Sequence, residues 1–544
     1  MRRLTWTLVA ILIAAGVFLF VLAPPAPVRV DTAGWESLAA RTVSGAYHVH
    51  TTRSDGHGDK AAVAAAAAGA GLKFVILTDH GDATRPPDPP EYVEGVLMLD
   101  AVEISTDDGH YVALDMPRAP YPLGGSGEAV AEDVHRLGGF GIAAHPDSPK
   151  AALRWTDPSA PIDGIEWINA DSEWRDEPRR RLIRAGLTYF VRPAGSLAML
   201  LDRPVTLDRW VALLRTRRVV ALAGADAHGG AGKRVEDPTR TFFSTIGIPS
   251  YEASFRELSI RAVVDRPLAG NAVEDAKAVL GAIRRGSVFS VIDALASPAL
   301  LDFHAVPSGA TVTVLARATV PPGATMVLLG PSGEIATSSG RELRHEVPSG
   351  PGAYRVEVRV AGAPGDPPVP WLVGNPLGIE LGVPERDVDT RPGGGGMPGR
   401  IAPFPWRIEK DAASSAIVRT SAYAAELEYT LAQGSRNSQY VALATDVHQQ
   451  AFRAIDLELQ PDRPMRLFVQ VRTEDGRRWG RSFYVDAAHT AVHAELSAMR
   501  GVGGLTDSVP SGESVTSILL VVDLTNSVPG RSGRLHVLSS ALAK

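Results

Sequence analysis

Between residues 43 and 230, short runs of consecutive apolar residues (74–77, 96–99, 142–144 and 219–223) alternate with stretches that read as helices. Near-continuous apolar strands separated by helices predict a parallel sheet covered on both faces, either an α/β barrel or a doubly wound sheet. Residues 60–70 are helical by their alanine content and end at Gly69 and Gly71; 128–137 form a second helical run, and 273–285 a third, stopped by Gly286. After about residue 300 the period changes. Strands at 312–318, 326–329 and 354–360, separated by Pro, Gly and Ser, predict a small immunoglobulin-like β-sandwich over 301–385. The stretch 386–400, with Arg391-Pro392 followed by four glycines, reads as a flexible linker. Strands at 455–459, 465–471, 481–485, 518–524 and 535–538 predict a second sandwich over 401–544.

The N-terminal pattern is of a different kind. Residues 4–23 carry no charge and are mostly Leu, Val, Ile, Ala and Phe, a run long enough to cross a bilayer. Arg2 and Arg3 precede it, and positive charge on the short N-terminal side places the rest of the chain outside the cytoplasm, in a periplasm or at a cell surface. Ala23 and Ala26, small residues of the kind a signal peptidase prefers, are each followed by proline (Pro24, Pro27), which favours a retained anchor over a removed signal; removal would give a secreted protein. Within the segment 1–30, residues 24–27 then make a stiff spacer.

Composition narrows the chemistry. With 45% hydrophobic and 21% charged residues in 544, the chain is ordinary globular protein. A net charge of −6 is of the wrong sign for holding nucleic acid by phosphate neutralisation. The absence of cysteine removes disulfides, thiol nucleophiles and sulfur-ligated metals, so any metal must be held by His, Asp and Glu.

Eight of the 14 histidines lie in the α/β part: His48, His50, His57, His80, His110, His135, His145 and His228. His48-Val49-His50 puts two imidazoles on one face of a strand, and Asp226-Ala227-His228 repeats that spacing. His80, Glu103 and His145 each follow an apolar run, which in a parallel barrel is the C-terminal strand end where loops assemble a site. Such His/Asp/Glu sets suit zinc, manganese or iron, with carboxylates able to bridge two ions. His135, inside a helical run, reads as structural, and His57 competes with Asp55 as the ligand of the first loop.

His48-Val49-His50-Thr51 with Ser54-Asp55-Gly56, Thr78-Asp79-His80, Glu103-Ile104-Ser105, Ala144-His145-Pro146 and Asp226-Ala227-His228 together resemble the ordered motifs of the polymerase-and-histidinol-phosphatase (PHP) superfamily, over about residues 43–300. The resemblance implies an α/β fold, a distorted (β/α)7 barrel followed here by two C-terminal β-sandwich domains, with two or three divalent ions (Zn, Mn or Fe) and phosphoester hydrolysis as the usual activity. Carried over, His48, His50, Glu103 and Asp226 hold one metal, Glu103 bridges to a second that His145 helps to bind, and Asp55, His80 and His228 hold a third. His110, in Asp108-Gly109-His110-Tyr111, falls where the family often has a histidine before a strand, and it leaves two ions or three open. Amidohydrolases also begin with His-x-His, but the Thr-Asp-His and Asp-x-His spacings favour the PHP resemblance. Residues 278–290 and Trp371-Leu372-Val373-Gly374-Asn375-Pro376 are similar to the extracytoplasmic carbaryl-hydrolase-like branch, whose members also cleave carboxylic and carbamate esters. Trp479, Phe483 and Tyr484, after the turn Asp475-Gly476, give the last sandwich a resemblance to galactose-binding jelly rolls, with carbohydrate as the ligand that implies.

The expected mechanism is metal-dependent hydrolysis. Clustered divalent ions lower the pKa of a water to near neutrality, and the hydroxide attacks phosphorus or a carbonyl carbon of a small-molecule ester. Asp79 and Asp147 are candidate orienters or proton acceptors, and Arg53 and Arg192 candidate cations for a substrate phosphate; Glu166 and Asn169 end a further strand near the pocket. The leading expectation is a membrane-anchored phosphoesterase. A carboxylic or carbamate ester hydrolase on the same centre is the alternative, and a non-catalytic glycan-binding surface protein is the third reading.

Overall fold

The computed structural model describes residues 2–230, 248–308, 311–350, 352–379, 404–421, 424–436, 438–447, 450–505 and 507–544. The expected linker 386–400 lies outside the described residues. The chain divides into an N-terminal unit (1–81, 87–117 and 138–384) and a C-terminal unit (82–86, 118–137 and 385–544).

The N-terminal unit mixes helices with a ring of eight strands: β1 (Thr42–Val49), β2 (Phe74–Leu77), β3 (Val96–Asp100), β4 (Val102–Thr106), β5 (Gly109–Leu114), β6 (Phe140–Ala143), β7 (Gly164–Asn169) and β8 (Val220–Gly224). β1 pairs with β2 and β2 with β3, both parallel. Ala101 alone separates β3 from β4, so the two act as one bent stave, and a bridge between His80 and Glu103 ties β4 to the end of β2. β5 lies between β4 and β6, then β6, β7 and β8 follow in parallel. The ring returns to β1 through the Val49–Ala227 bridge and the bonds Ala225 N to Tyr47 O and His50 N to Ala227 O, at 2.9 and 3.0 Å.

The all-parallel expectation is corrected at β5, which is antiparallel to both neighbours. The physical reason is the link Asp107-Asp108: two residues can close a hairpin but cannot carry a crossover. β2, β6 and β8 are buried along their lengths because both faces are covered, which is why they read as unbroken apolar runs.

The region expected as a separate sandwich at 301–385 is joined to this unit by its sheet. Gly352–Arg359 pairs with Leu372–Gly374, which pairs with Val288–Val291, then Ser259–Val263, then β1. The motif around Trp371 explains the join. Trp371 is fully buried with its indole N–H on Ala296 O at 2.9 Å, and Asn375 receives the Ala221 N–H at 2.7 Å while donating to Ala221 O and Val288 O. One amide side chain thus satisfies strand edges that would otherwise be buried without partners.

The C-terminal unit is two packed antiparallel sheets. One has the order Arg407–Lys410, Tyr440–Asp446, Val515–Asp523, Met465–Thr473, Arg478–Val485, Arg500–Gly501; the other runs Ser415–Thr420, Ala425–Thr430, Ser532–Ala543, Ala454–Pro461, Ala491–Glu495. Alternate residues such as Leu427, Leu457, Val469, Trp479 and Leu520 fill the space between them. The helix Gly127–Arg136, which sequence placed in the α/β part, groups with this unit. Trp479 is a core residue, Phe483 packs against that core, and the Tyr484 ring is covered by the Arg136 guanidinium 3.5 Å from its centroid.

Candidate metal centre

The ring brings six imidazoles (His48, His50, His80, His110, His145 and His228) and four carboxylates (Asp55, Glu103, Glu166 and Asp226) together at one end, where the parallel strands finish and antiparallel β5 begins. The local backbone is bent to do so. The β1–β2 register slips between Ala46 and Val49, and His48, His145 and Asp226 have positive φ angles of 64°, 30° and 43°. Such conformations cost about 1–3 kcal/mol each and persist where surrounding structure over-determines them, as at binding sites. Gly224, the last residue of β8, leaves room for Glu166: a Cβ there would lie 2.6 Å from Glu166 Oε1.

Nε2 of His48 and of His50 each face the same two carboxylate oxygens, a cage of four potential donor atoms. His48 Nε2 lies 3.3 Å from Glu103 Oε2 and 3.4 Å from Asp226 Oδ1, and His50 Nε2 lies 3.3 Å from each of the same two oxygens. His48 Nε2 is fully buried and has no hydrogen-bond partner, although carboxylate oxygens stand beside it. A buried ring nitrogen facing two carboxylates without a hydrogen bond fits a cation between them and is costly without one. The residues present therefore fit a divalent metal.

Glu103 extends the arrangement. Its Oε2 also lies 3.2 Å from His80 Nδ1, while its Oε1 meets His145 Nε2 at 2.9 Å and His110 Nδ1 at 2.7 Å. One carboxylate thus faces two donor sets, the geometry of a bridge. On the third side, Asp55 lies 3.5 Å from His228 Nε2 and His50 Nδ1 and 3.6 Å from His80 Nε2, and His50 and His228 stack at 4.5 Å. His48, His50 and Glu103 are sealed at 0–1% exposure, whereas Asp55 and His80 are about a third exposed, so the cluster opens to solvent on the Asp55–His80 side.

Electrostatics follow from burial among opposite charges. Burial works against charging His48, yet Asp226, Glu166 and Glu103 hold its pKa well above the usual value. Burial likewise opposes His228, but the Asp55 hydrogen bond and the Asp226 charge raise it to about 9. His50 moves the other way, lowered by burial and by His228. Burial alone would raise Glu103, but His48, His110 and His145 hold it well below the usual carboxylate range, and His48 and His50 do the same for Asp226. Carboxylates so strongly ionised in a sealed space favour cations.

The structure brings His48, His50, Asp55, His80, Glu103, His145, Asp226 and His228 together in overlapping sets of three or more donors. His110 belongs to none of those sets among the described residues; it bonds Glu103 and, at 3.3 Å, Ser105 Oγ. His57 stands apart, its ring on the His228 carbonyl. Asp79 accepts from Thr51 N and Oγ1 and from Ser54 N and Oγ, so it shapes the loop that carries Asp55. Asp147 accepts from Thr206 N and Oγ1 and pairs with Arg209, which fastens the start of the helix Thr206–Leu214. Neither expected phosphate cation is free: Arg53 is neutralised by Asp88 and Asp100, and Arg192 donates to the Pro24 carbonyl.

Sequence reasoning underrated Glu166. Fully buried, it accepts from His48 Nδ1 at 2.5 Å, from His145 N at 2.7 Å and from Asn169 Nδ2 at 2.8 Å. It therefore turns His48 so that Nε2 faces the cage and fixes the His145 backbone. The signal was present: a glutamate inside the apolar strand Gly164–Asn169 has to be paired with something.

No family model matches the sequence, and no curated protein does. Among solved structures, a two-domain protein from Bacteroides vulgatus containing a predicted PHP-like metal-dependent phosphoesterase is 13% identical, covering 66% of this chain and 98% of its own, at a TM-score of 0.29. A family 11 carbohydrate-binding module of a cellulosomal cellulase from Clostridium thermocellum is 12% identical over 27% of this chain and 89% of its own, at 0.21. A family 11 carbohydrate-binding module from Clostridium thermocellum in complex with a β-1,3-1,4-mixed-linked tetrasaccharide covers 25% of this chain and 88% of its own at 12% identity, also at 0.21. Likenesses at such scores decide neither fold nor chemistry, and the functional reading rests on the donor geometry.

Proposed function

We propose that the protein is a metal-dependent hydrolase of the PHP type, a phosphoesterase whose two or three divalent ions are held at the ring's C-terminal strand ends. The observation that carries this reading is that His48 Nε2, buried without a hydrogen-bond partner, and His50 Nε2 both face the Glu103 and Asp226 carboxylates. His145 supports a second position through the other oxygen of Glu103, and Asp55, His80 and His228 a third on the exposed side. The order of the motifs and the returning ring of strands support the reading of a distorted (β/α)7 barrel. Divalent ions in such a cluster supply Lewis acidity and acidify a water towards neutral pH. The protein's own part is to seal one side of the cluster, to orient His48 through Glu166 and to hold Asp55 in place through Asp79 and the loop 51–54. No side-chain nucleophile is required. The apolar helix Arg2–Leu22, whose residues 5–22 have mean hydropathy 2.5, supports an extracytoplasmic protein held by a retained anchor.

The test is elemental analysis of the full chain beside hydrolysis of aryl phosphate mono- and diesters and of aryl carboxylic and carbamate esters. Two or more ions per chain are expected, with phosphate release lost in Asp226→Ala. Metal with ester turnover but no phosphate release would replace the phosphoesterase by the carboxylic ester hydrolase. A metal-free, inactive chain would overturn both readings and leave the binding protein.

A further inference from the structure

The helix Arg179–Thr188 and the two residues after it present one outward stripe, Arg180, Ile183, Arg184, Leu187 and Phe190, spaced three or four apart. Ile183 is 62% exposed, Leu187 48% and Phe190 74%, while Ala185 and Thr188 of the same helix are buried in the unit. Three large apolar side chains in one exposed row flanked by arginines make a surface that water does not favour.

What lies beside the stripe indicates what covers it. The Arg184 guanidinium reaches the carbonyl of Leu22, the last residue of the N-terminal apolar run, at 3.2 Å. Arg192 donates to the carbonyl of Pro24, and its guanidinium stands 5.0 Å from the Phe20 ring centroid. The stripe is therefore level with the end of the apolar helix. Arg179 and Arg180 are exposed and have no ion pair or hydrogen-bond partner among the described residues. Apolar side chains flanked by basic ones, at the height where a span leaves the hydrocarbon, form the pattern of an interfacial segment: the apolar tips enter the acyl boundary and the guanidinium groups meet phosphate.

We propose that residues 179–190 are a second membrane contact, lying in the headgroup layer beside the N-terminal helix, with Ile183, Leu187 and Phe190 in the acyl boundary and Arg179 and Arg180 at lipid phosphates. The inference rests on reading residues 5–22 as a retained anchor. A single span leaves the attached unit free to swivel; a second contact fixes which face looks at the bilayer.

The absence of cysteine makes the test clean, since each introduced thiol is unique. Full-length Val17→Cys, Leu187→Cys and Phe190→Cys proteins, each labelled with bimane, are placed in phosphatidylcholine–phosphatidylglycerol vesicles with and without brominated acyl chains. At least about twofold quenching by the brominated lipid is expected at all three positions. Quenching at position 17 with none at 187 and 190 would overturn the second contact and leave the anchor standing. Quenching at none of the three would overturn the anchor reading and the contact with it.

Discussion

Both units bury charged groups, but they do so in opposite ways. In the C-terminal unit, Arg466 is sealed with its Nε 2.9 Å from Asp133 and an Nη 3.0 Å from Glu132, and its remaining donor meets Ser482 O at 3.1 Å. Arg481 pairs with Glu128 and Glu132, and Arg136 and Tyr121 complete Asp133. Anion answers cation within the protein, and the network fastens the helix Gly127–Arg136 to the strands Met465–Thr473 and Arg478–Val485. At the ring's strand ends, imidazoles and ionised carboxylates gather in overlapping sets, each offering an atom to a shared position. A closed charge network holds structure together; an acceptor-rich one is built for an external cation.

The sharpest break of this comparison removes one partner from the closed network. Arg466→Met should cost the C-terminal unit about 3–5 kcal/mol, because it strands buried carboxylates, while metal content stays unchanged; denaturant unfolding and elemental analysis read the two. A smaller effect comes from pH. His228 is raised from 6.5 to about 9, so in metal-stripped protein its stabilisation is full below about pH 6.5 and is lost as pH rises through about 9, on the order of 3 kcal/mol. Metal-loaded protein should show no such loss, since a ligating imidazole has already given up its proton, and should instead release metal on acidification. Thermal melts from pH 6 to 9.5 with and without chelator check both signs. The smallest change tests the support of the cage: Glu166→Gln should weaken metal binding about 10–100-fold with the fold kept, read by titration against a competing chelator. Unchanged affinity would mean that Glu166 serves packing alone.

Parts of this arrangement were legible in the chain. Apolar runs at 74–77, 142–144 and 219–223 coincide with, or overlap within two residues, the strands Phe74–Leu77, Phe140–Ala143 and Val220–Gly224, because strands covered on both faces must be apolar throughout. Histidines two apart on a strand share a face, so the meeting of His48 with His50 follows from spacing. Glu166 was underrated because its role depends on three partners, His48, His145 and Asn169, two of them on other strands or loops. The antiparallel course of β5 escaped notice because an apolar run has no direction; only the shortness of its turn shows it.

By itself the sequence determined which residues could hold a cation, since the absence of cysteine leaves only imidazoles and carboxylates, and it placed them after apolar runs. It also determined the apolar N-terminal helix, since twenty uncharged residues are a local property. The tertiary structure decided the rest. It set Nε2 of two imidazoles against the same two carboxylate oxygens, turned Asp79, Asp147 and Arg53 to other partners, continued the sheet past residue 300, and set Arg184 against the end of the apolar helix. Burial, pairing and direction are properties of groups far apart along the chain, and they exist only once the chain has folded.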